Sequence, residues 1–194
     1  VRDQFNNPVA GVEVTFAVAS GDGSVTGATQ TTNAAGIAAV GSWTLGNTAG
    51  ANSLTATSAL TGSPVIFTAT GTFGAPTQVA LEAGDGQSAT VGTAVAIPPT
   101  VVVRDQFNNP VAGVEVTFAV TAGGGTVDPT TPVTTDANGI AAAPWRLGTS
   151  VGSNSVTATA DGLAASPVSF SATGTSAAAT QIALQAGDGQ TTIV

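Results

Sequence analysis

The chain has 194 residues, only 7% of them charged, and three Arg against eleven Asp and Glu leave a formal net charge of −8. So few cations cannot build the basic stripe that holds nucleic acid, and an anionic membrane surface would repel the chain. Cys, His, Lys, Met and Tyr are all missing, which excludes disulfides, zinc ligation by His or Cys, nucleophilic triads and Lys Schiff bases.

The first predicted element is also a repeat. Val1–Val18, "VRDQFNNPVAGVEVTFAV", returns unchanged as Val103–Val120, an offset of 102 residues. "TQVALEAGDGQ" from Thr77 returns as "TQIALQAGDGQ" from Thr180, an offset of 103. That period is too long for a solenoid unit and suits an autonomous domain. Inside each copy the apolar period is two. Val12, Val14, Phe16 and Val18 share one strand face, and Glu13, Thr15 and Ala17 share the other. Leu54 and Ala56 alternate with Thr55 and Thr57, then Val65 and Phe67 with Ile66 and Thr68. Such alternation marks half-buried antiparallel strands. Turn-forming stretches such as "NNPVAG", "SGDGS", "NAAG" and "LTGSP" separate them.

The complete copy predicts seven strands, at 78–83, 99–105, 113–120, 131–135, 139–147, 154–160 and 168–173. Seven short strands with regular turns predict an all-β fold: tandem immunoglobulin-like antiparallel β-sandwiches arranged end to end. The expected layout is a repeat over 1–72 lacking its first strand and most of its second, a linker over 73–77, and a complete repeat over 78–174. A second linker follows over 175–179, then the first strand of a further repeat over 180–194. Trp43 and Trp145 in the fifth strand, with Phe16, Phe118, Phe67 and Phe170, are the expected core anchors. The cut ends would bare core-facing residues such as Ile182 and Leu184. Two arrangements would cover them. Either the sequence is a window on a longer tandem chain, or separate subunits exchange terminal strands. The window is preferred, because exchange would still leave Gly92–Val102 missing from every junction. No apolar run reaches the ~20 residues of a membrane-spanning helix. The longest, "AVAIPPTVVV", is broken by Pro98 and Pro99.

The stretches "DQFNNPVAGVEVTFAV", "TTDANGIAAAPW" and "NSVTATA" resemble the bacterial Ig-like domains of group 1. These are the repeats of invasin- and intimin-like surface proteins. The shared features are an Asp-x-x-x-Asn-Pro-Val-x-Gly-Val turn into an alternating strand, an Asp-Ala-Asn-Gly hairpin and a late Thr-Val-Thr-Ala strand. The first copy departs at the hairpin, where it reads "NAAG". The resemblance implies an extracellular or cell-surface module that acts as a rigid spacer. Its implied partners are adjacent copies of the repeat, with neighbouring fibres a further candidate. A ligand-gripping adhesin module and a self-associating filament subunit built by strand complementation are the alternatives.

Chemistry is sparse along the chain. Glu13 and Glu115 sit on outward strand positions, where a solvated face, with Arg2 and Arg104 as candidate pairing partners, is expected rather than catalysis. "AGDGQ" at Ala83–Gln87 and Ala186–Gln190 lacks the Lys and the strand-to-helix setting of a phosphate loop, and reads as a kink ending the first strand. Asp85, Asp105 and Asp188 are weak calcium candidates, because no Asp-x-Asp cluster supplies enough oxygens. No cofactor and no enzymatic activity are expected. Phe5 and Phe107 in the "QFNNP" turn are expected to tuck inward and plug the end of the core. Exposed, they would favour the ligand-binding alternative.

Overall fold

The computed structural model describes residues 1–183 together with 186, 189, 191 and 192. Among these residues sixteen strands and no helix are formed, so the protein is all-β. Two compact units result. Unit 1 holds Val1–Gln78 with Val103–Ala112 and Ala137–Gly139; unit 2 holds Val79–Val102, Gly113–Asp136 and Ile140–Val194.

Unit 1 contains β1 (Glu13–Ser20), β2 (Ser24–Thr26), β3 (Thr29–Thr31), β4 (Ser42–Thr44), β5 (Gly50–Thr57) and β6 (Val65–Gly71). Four of them form one sheet in the order β3-β1-β5-β6, and β2 pairs with β4. The alternation of β1 works as its sequence predicts: Val14 and Phe16 are buried, while Glu13, Thr15 and Ala17 face water. Antiparallel register sets Phe16 opposite Ala56 and Leu54 opposite Phe67. Val14, Phe16 and Leu54 are the buried centre, with Val18, Val25, Val40 and Trp43 packed around it.

Two expected anchors touch the core here but are less buried than expected. Phe67 is 45% exposed and Trp43 only half-buried. The cause is non-local. Phe67 lies on β6, the edge strand of its sheet, whereas its counterpart Phe170 lies on a strand paired on both sides.

The second copy runs through β7 (Pro76–Ala83), β8 (Gln87–Thr90), β9 (Thr100–Asp105), β10 (Glu115–Ala122), β11 (Thr126–Val127), β12 (Val133–Thr134), β13 (Ile140–Ala142), β14 (Trp145–Arg146), β15 (Gly152–Thr159) and β16 (Val168–Thr175). The sheets are β12-β10-β15-β16-β8, β13-β9-β7 and the pair β11-β14. Trp145, Phe170, Leu147, Val79, Val101, Val116 and Val156 are fully buried between them, and Phe118 is buried as well.

Three features differ from the seven antiparallel strands expected. The expected first strand, 78–83, is β7, and a further strand that was not expected, β8, follows it and pairs parallel to β16. The "AGDGQ" stretch is the crossing between the sheets: Gly84 takes φ +92°, and a Cβ there would run into the Pro98 carbonyl. Asp85 pins the crossing, its Oδ1 accepting from Ser171 N at 2.7 Å and Ser171 Oγ at 2.9 Å. The predicted fifth strand, 139–147, is broken into β13 and β14 at Ala143–Pro144. Proline has no N–H for the ladder, and the Pro144 carbonyl accepts from Asp128 instead. The third feature is β11, a two-residue strand opposite β14, too short to show a period.

Candidate functional site

The repeated Asp-x-x-x-Asn loop gathers several hydrogen bonds on one carboxylate, and it occurs twice. In the first copy Asp3 Oδ1 accepts the N–H of Phe5 at 2.9 Å and of Asn7 at 2.8 Å, and Oδ2 accepts Asn7 Nδ2 at 3.1 Å. In the second, Asp105 Oδ1 accepts Phe107 N at 2.8 Å and Asn109 N at 2.9 Å, and Oδ2 accepts Asn109 Nδ2 at 2.9 Å. Main-chain bonds close each loop, from Asp3 N to Asn7 O and from Asp105 N to Asn109 O. Asn6 and Asn108 take positive φ, a conformation Asn tolerates because its short side chain can bond locally. The Asp aligns the loop by collecting donors that a tight turn leaves unpaired. Thus the loop is preformed by local chemistry alone.

Only the surroundings differ. Within unit 1, Asp105 Oδ2 also accepts Gly74 N at 2.8 Å, while Asn109 accepts Ala49 N on Oδ1 and donates from Nδ2 to Asn47 O, both at 2.8 Å. Asp105 and Asn109 are accordingly buried, whereas Asp3 and Asn7 are exposed. Burial would push the Asp105 carboxyl up, but the bonds from Asn109, Gly74 and Phe107 outweigh it and hold the group down at about 2. The Asn7 side chain, and then its N–H, lowers Asp3 as well.

The other expected site residues fall as follows. Arg2 and Arg104 donate to the carbonyls of Asn6 and Asn108, in place of the pairing with Glu13 and Glu115 that their positions suggested. Phe5 and Phe107 do not plug the core: they are 76% and 49% exposed, because the loop closed beneath them turns the rings outward. Among the calcium candidates, Asp85 and Asp105 accept N–H and O–H donors, and Asp188 lies outside the described residues. Among the described residues, no three His, Cys, Asp or Glu gather where a metal could bind.

Two clefts open on unit 1, the first with Arg2, Ser58, Thr61 and Ser63 beside its apolar residues, the second mostly apolar. One, of about 310 Å³, lies among Val1, Val14, Ala56, Leu60 and Val65. The other, of about 410 Å³, lies among Phe16, Val40, Trp43, Leu54 and Phe67. Sequence reading missed the outward bonds of Asn109, although the unchanged polar letters of the loop in both copies were the available signal.

Sheet order and core place the protein in a class, the immunoglobulin-like β-sandwiches. Residues 82–173 match the family model of the bacterial Ig-like domain (group 1). Among solved structures, the chain is similar to InvD of Yersinia pseudotuberculosis, with 21% identity, a TM-score of 0.56, and coverage of 95% of this chain and 53% of that one. It is also similar to FdeC, an Escherichia coli adhesin, with 21% identity, a TM-score of 0.54, and coverage of 90% and 55%. The D0-D1 domain of intimin aligns at 25% identity with a TM-score of 0.37, covering 88% of this chain and 83% of that one. The chain thus spans about half the length of the InvD and FdeC chains. No curated protein matches it.

Proposed function

We propose that the chain is a structural repeat of an extracellular bacterial fibre or adhesin stalk, a rigid spacer that carries tension. The observation behind this reading is the parallel pairing of β8 with β16. The strands near the two ends of the copy lie side by side and run the same way. Tension applied at those ends therefore slides one strand past the other. Four residue pairs, from Ala172 with Gln87 to Thr175 with Thr90, resist together. Bonds from Gly86 N to Ser171 O and from Val91 N to Thr175 O flank them. Shear loads these bonds at once, whereas peeling would break them singly. The match of residues 82–173 to the bacterial Ig-like family and the likeness to an adhesin support a surface location. The reading calls for no cofactor, and its partners are adjacent copies of the repeat.

Force spectroscopy on the full chain, pulled by its ends, tests this. Unit 2 is expected to unfold in one event at high force, and Val91→Pro, which removes a flanking N–H, is expected to lower that force. Equal forces for the two proteins would defeat the proposal. One observation favours a second reading, a ligand-binding module: the exposed rings of Phe5, Phe73 and Phe107. Receptor or glycan binding that Phe107→Ala abolishes would support it.

A further inference from the structure

The five letters "AGDGQ" at Ala83–Gln87 carry the main chain of unit 2 from one sheet to the other, between β7 and β8. Their polar groups hold two segments that lie far apart in the chain. Asp85 Oδ1 accepts both the N–H and the hydroxyl of Ser171, and Gly86 N donates to the Ser171 carbonyl at 3.0 Å. Two consecutive residues thereby engage every polar group of Ser171. The Ser171 donors, the N–H first, hold the Asp85 carboxyl below its ordinary range, so the group is ionised at neutral pH. Hydrogen bonds to a charged acceptor are about twice as strong as neutral ones.

Gln87 grips the other side. Its Oε1 accepts Ile97 N at 2.9 Å, while Nε2 donates to the carbonyls of Ile97 at 2.7 Å and Gly84 at 2.9 Å. The side-chain amide meets both main-chain groups of Ile97, as the peptide of a neighbouring strand would. A side chain is suited to this task, because Pro98 and Pro99 follow without an N–H and cannot extend a ladder. Beyond them the chain enters β9. One short turn therefore ties Ser171, in the sheet of β16, to Ile97, which leads into the sheet of β9.

We propose that Asp85 and Gln87 form a clasp that sets the force at which β8 shears from β16. The inference deepens the spacer reading and rests on it. Tension arriving along β7 reaches Gly84–Gly86 before it reaches the first β8–β16 pair, Gln87 with Ala172. The bonds to Ser171 and Ile97 share that tension with the four strand pairs. They also keep the start of β8 aligned with β16, so the force stays in shear. Without them Gln87 lifts away from Ala172, and the pairs break one after another.

Force spectroscopy in two directions tests the clasp. Forced unfolding reports the unfolding barrier along the direction pulled. With the full chain pulled by its ends, Asp85→Ala and Gln87→Ala are each expected to lower the unfolding force of unit 2. Asp85→Asn, whose Oδ1 still accepts from Ser171, is expected to lower it less. Asp85 is exposed and Gln87 half-buried, so circular dichroism of these variants is expected to match the wild type. The protein has no cysteine of its own, so an introduced pair fixes a second direction. Ala119→Cys and Ser169→Cys stand level with each other, both opposite Thr157, and pulling between them loads the sheet across its strands. Along that line Asp85→Ala is expected to unfold at the force of the cysteine pair alone. An equal loss in both directions overturns the inference, because it marks Asp85 as a contributor to stability only. An end-to-end force unchanged in Asp85→Ala and Gln87→Ala overturns it as well. Val91→Pro separates the two readings. If it lowers the force and the clasp variants do not, the clasp falls and the spacer reading stands; unchanged force in all three defeats both.

Discussion

At the scale of single residues, Asp105 is the most consequential charge in the chain. Its folded carboxyl is held at about 2 against an ordinary 3.8, so protons bind the unfolded chain first as the solution is acidified. The stability it contributes is therefore complete above 3.8 and is lost as pH falls towards 2. Urea midpoints are expected to drop over that window in the wild type. Asp105→Ala should start lower at neutral pH and show a smaller acid drop. Trp145 raises a different issue. It is 1% exposed and its Nε1 has no hydrogen-bond partner. Trp145→Ala is expected to cost ~3–5 kcal/mol, and Trp145→Phe much less, because Phe keeps most of the apolar contact and removes an unsatisfied donor. Chemical denaturation followed by circular dichroism measures both.

At the scale of elements, β6 and β16 make the clearest comparison, since they are the same strand in two copies. β6 leaves Phe67 exposed while β16 buries Phe170. Phe170→Ala is expected to cost ~3–5 kcal/mol and Phe67→Ala about 1 kcal/mol, because the first opens a cavity and the second removes a half-wet ring. Denaturant titrations of the two variants decide it, and equal costs would mean that Phe67 is covered in solution. Long alternating strands such as β1, β10 and β15 were legible from their period of two. β8 and β11 were not, because two to four residues cannot display a period.

At the scale of the whole molecule, the two units are unequal. Unit 1 centres on Val14, Phe16 and Leu54, while unit 2 buries Trp145, Phe170, Leu147 and a ring of Val. Stability follows buried apolar area. Unfolding is expected in two steps, unit 1 first. Single-tryptophan variants report the steps separately: Trp43→Phe leaves Trp145 as the late signal, and Trp145→Phe leaves Trp43 as the early one. Coincident transitions would refute the inequality. Quenching adds a check, since iodide should reach half-exposed Trp43 far better than Trp145.

Eighteen identical residues show where sequence stops deciding. Val1–Val18 and Val103–Val120 build the same loop, the same Asp-to-Asn bonds and the same alternating strand, because those depend on neighbours a few residues away. The all-β class, the repeat, the turn chemistry and the lack of His and Cys chemistry were all legible at that range. What the letters could not carry was whether Asp3 and Asp105, or Phe67 and Phe170, would be wet or dry. Burial is fixed by strands and loops far away in the chain, here Gly74 and Asn47 around the Asp105 loop and β8 beside β16. Asp105 and Phe170 are buried, and Asp3 and Phe67 are exposed.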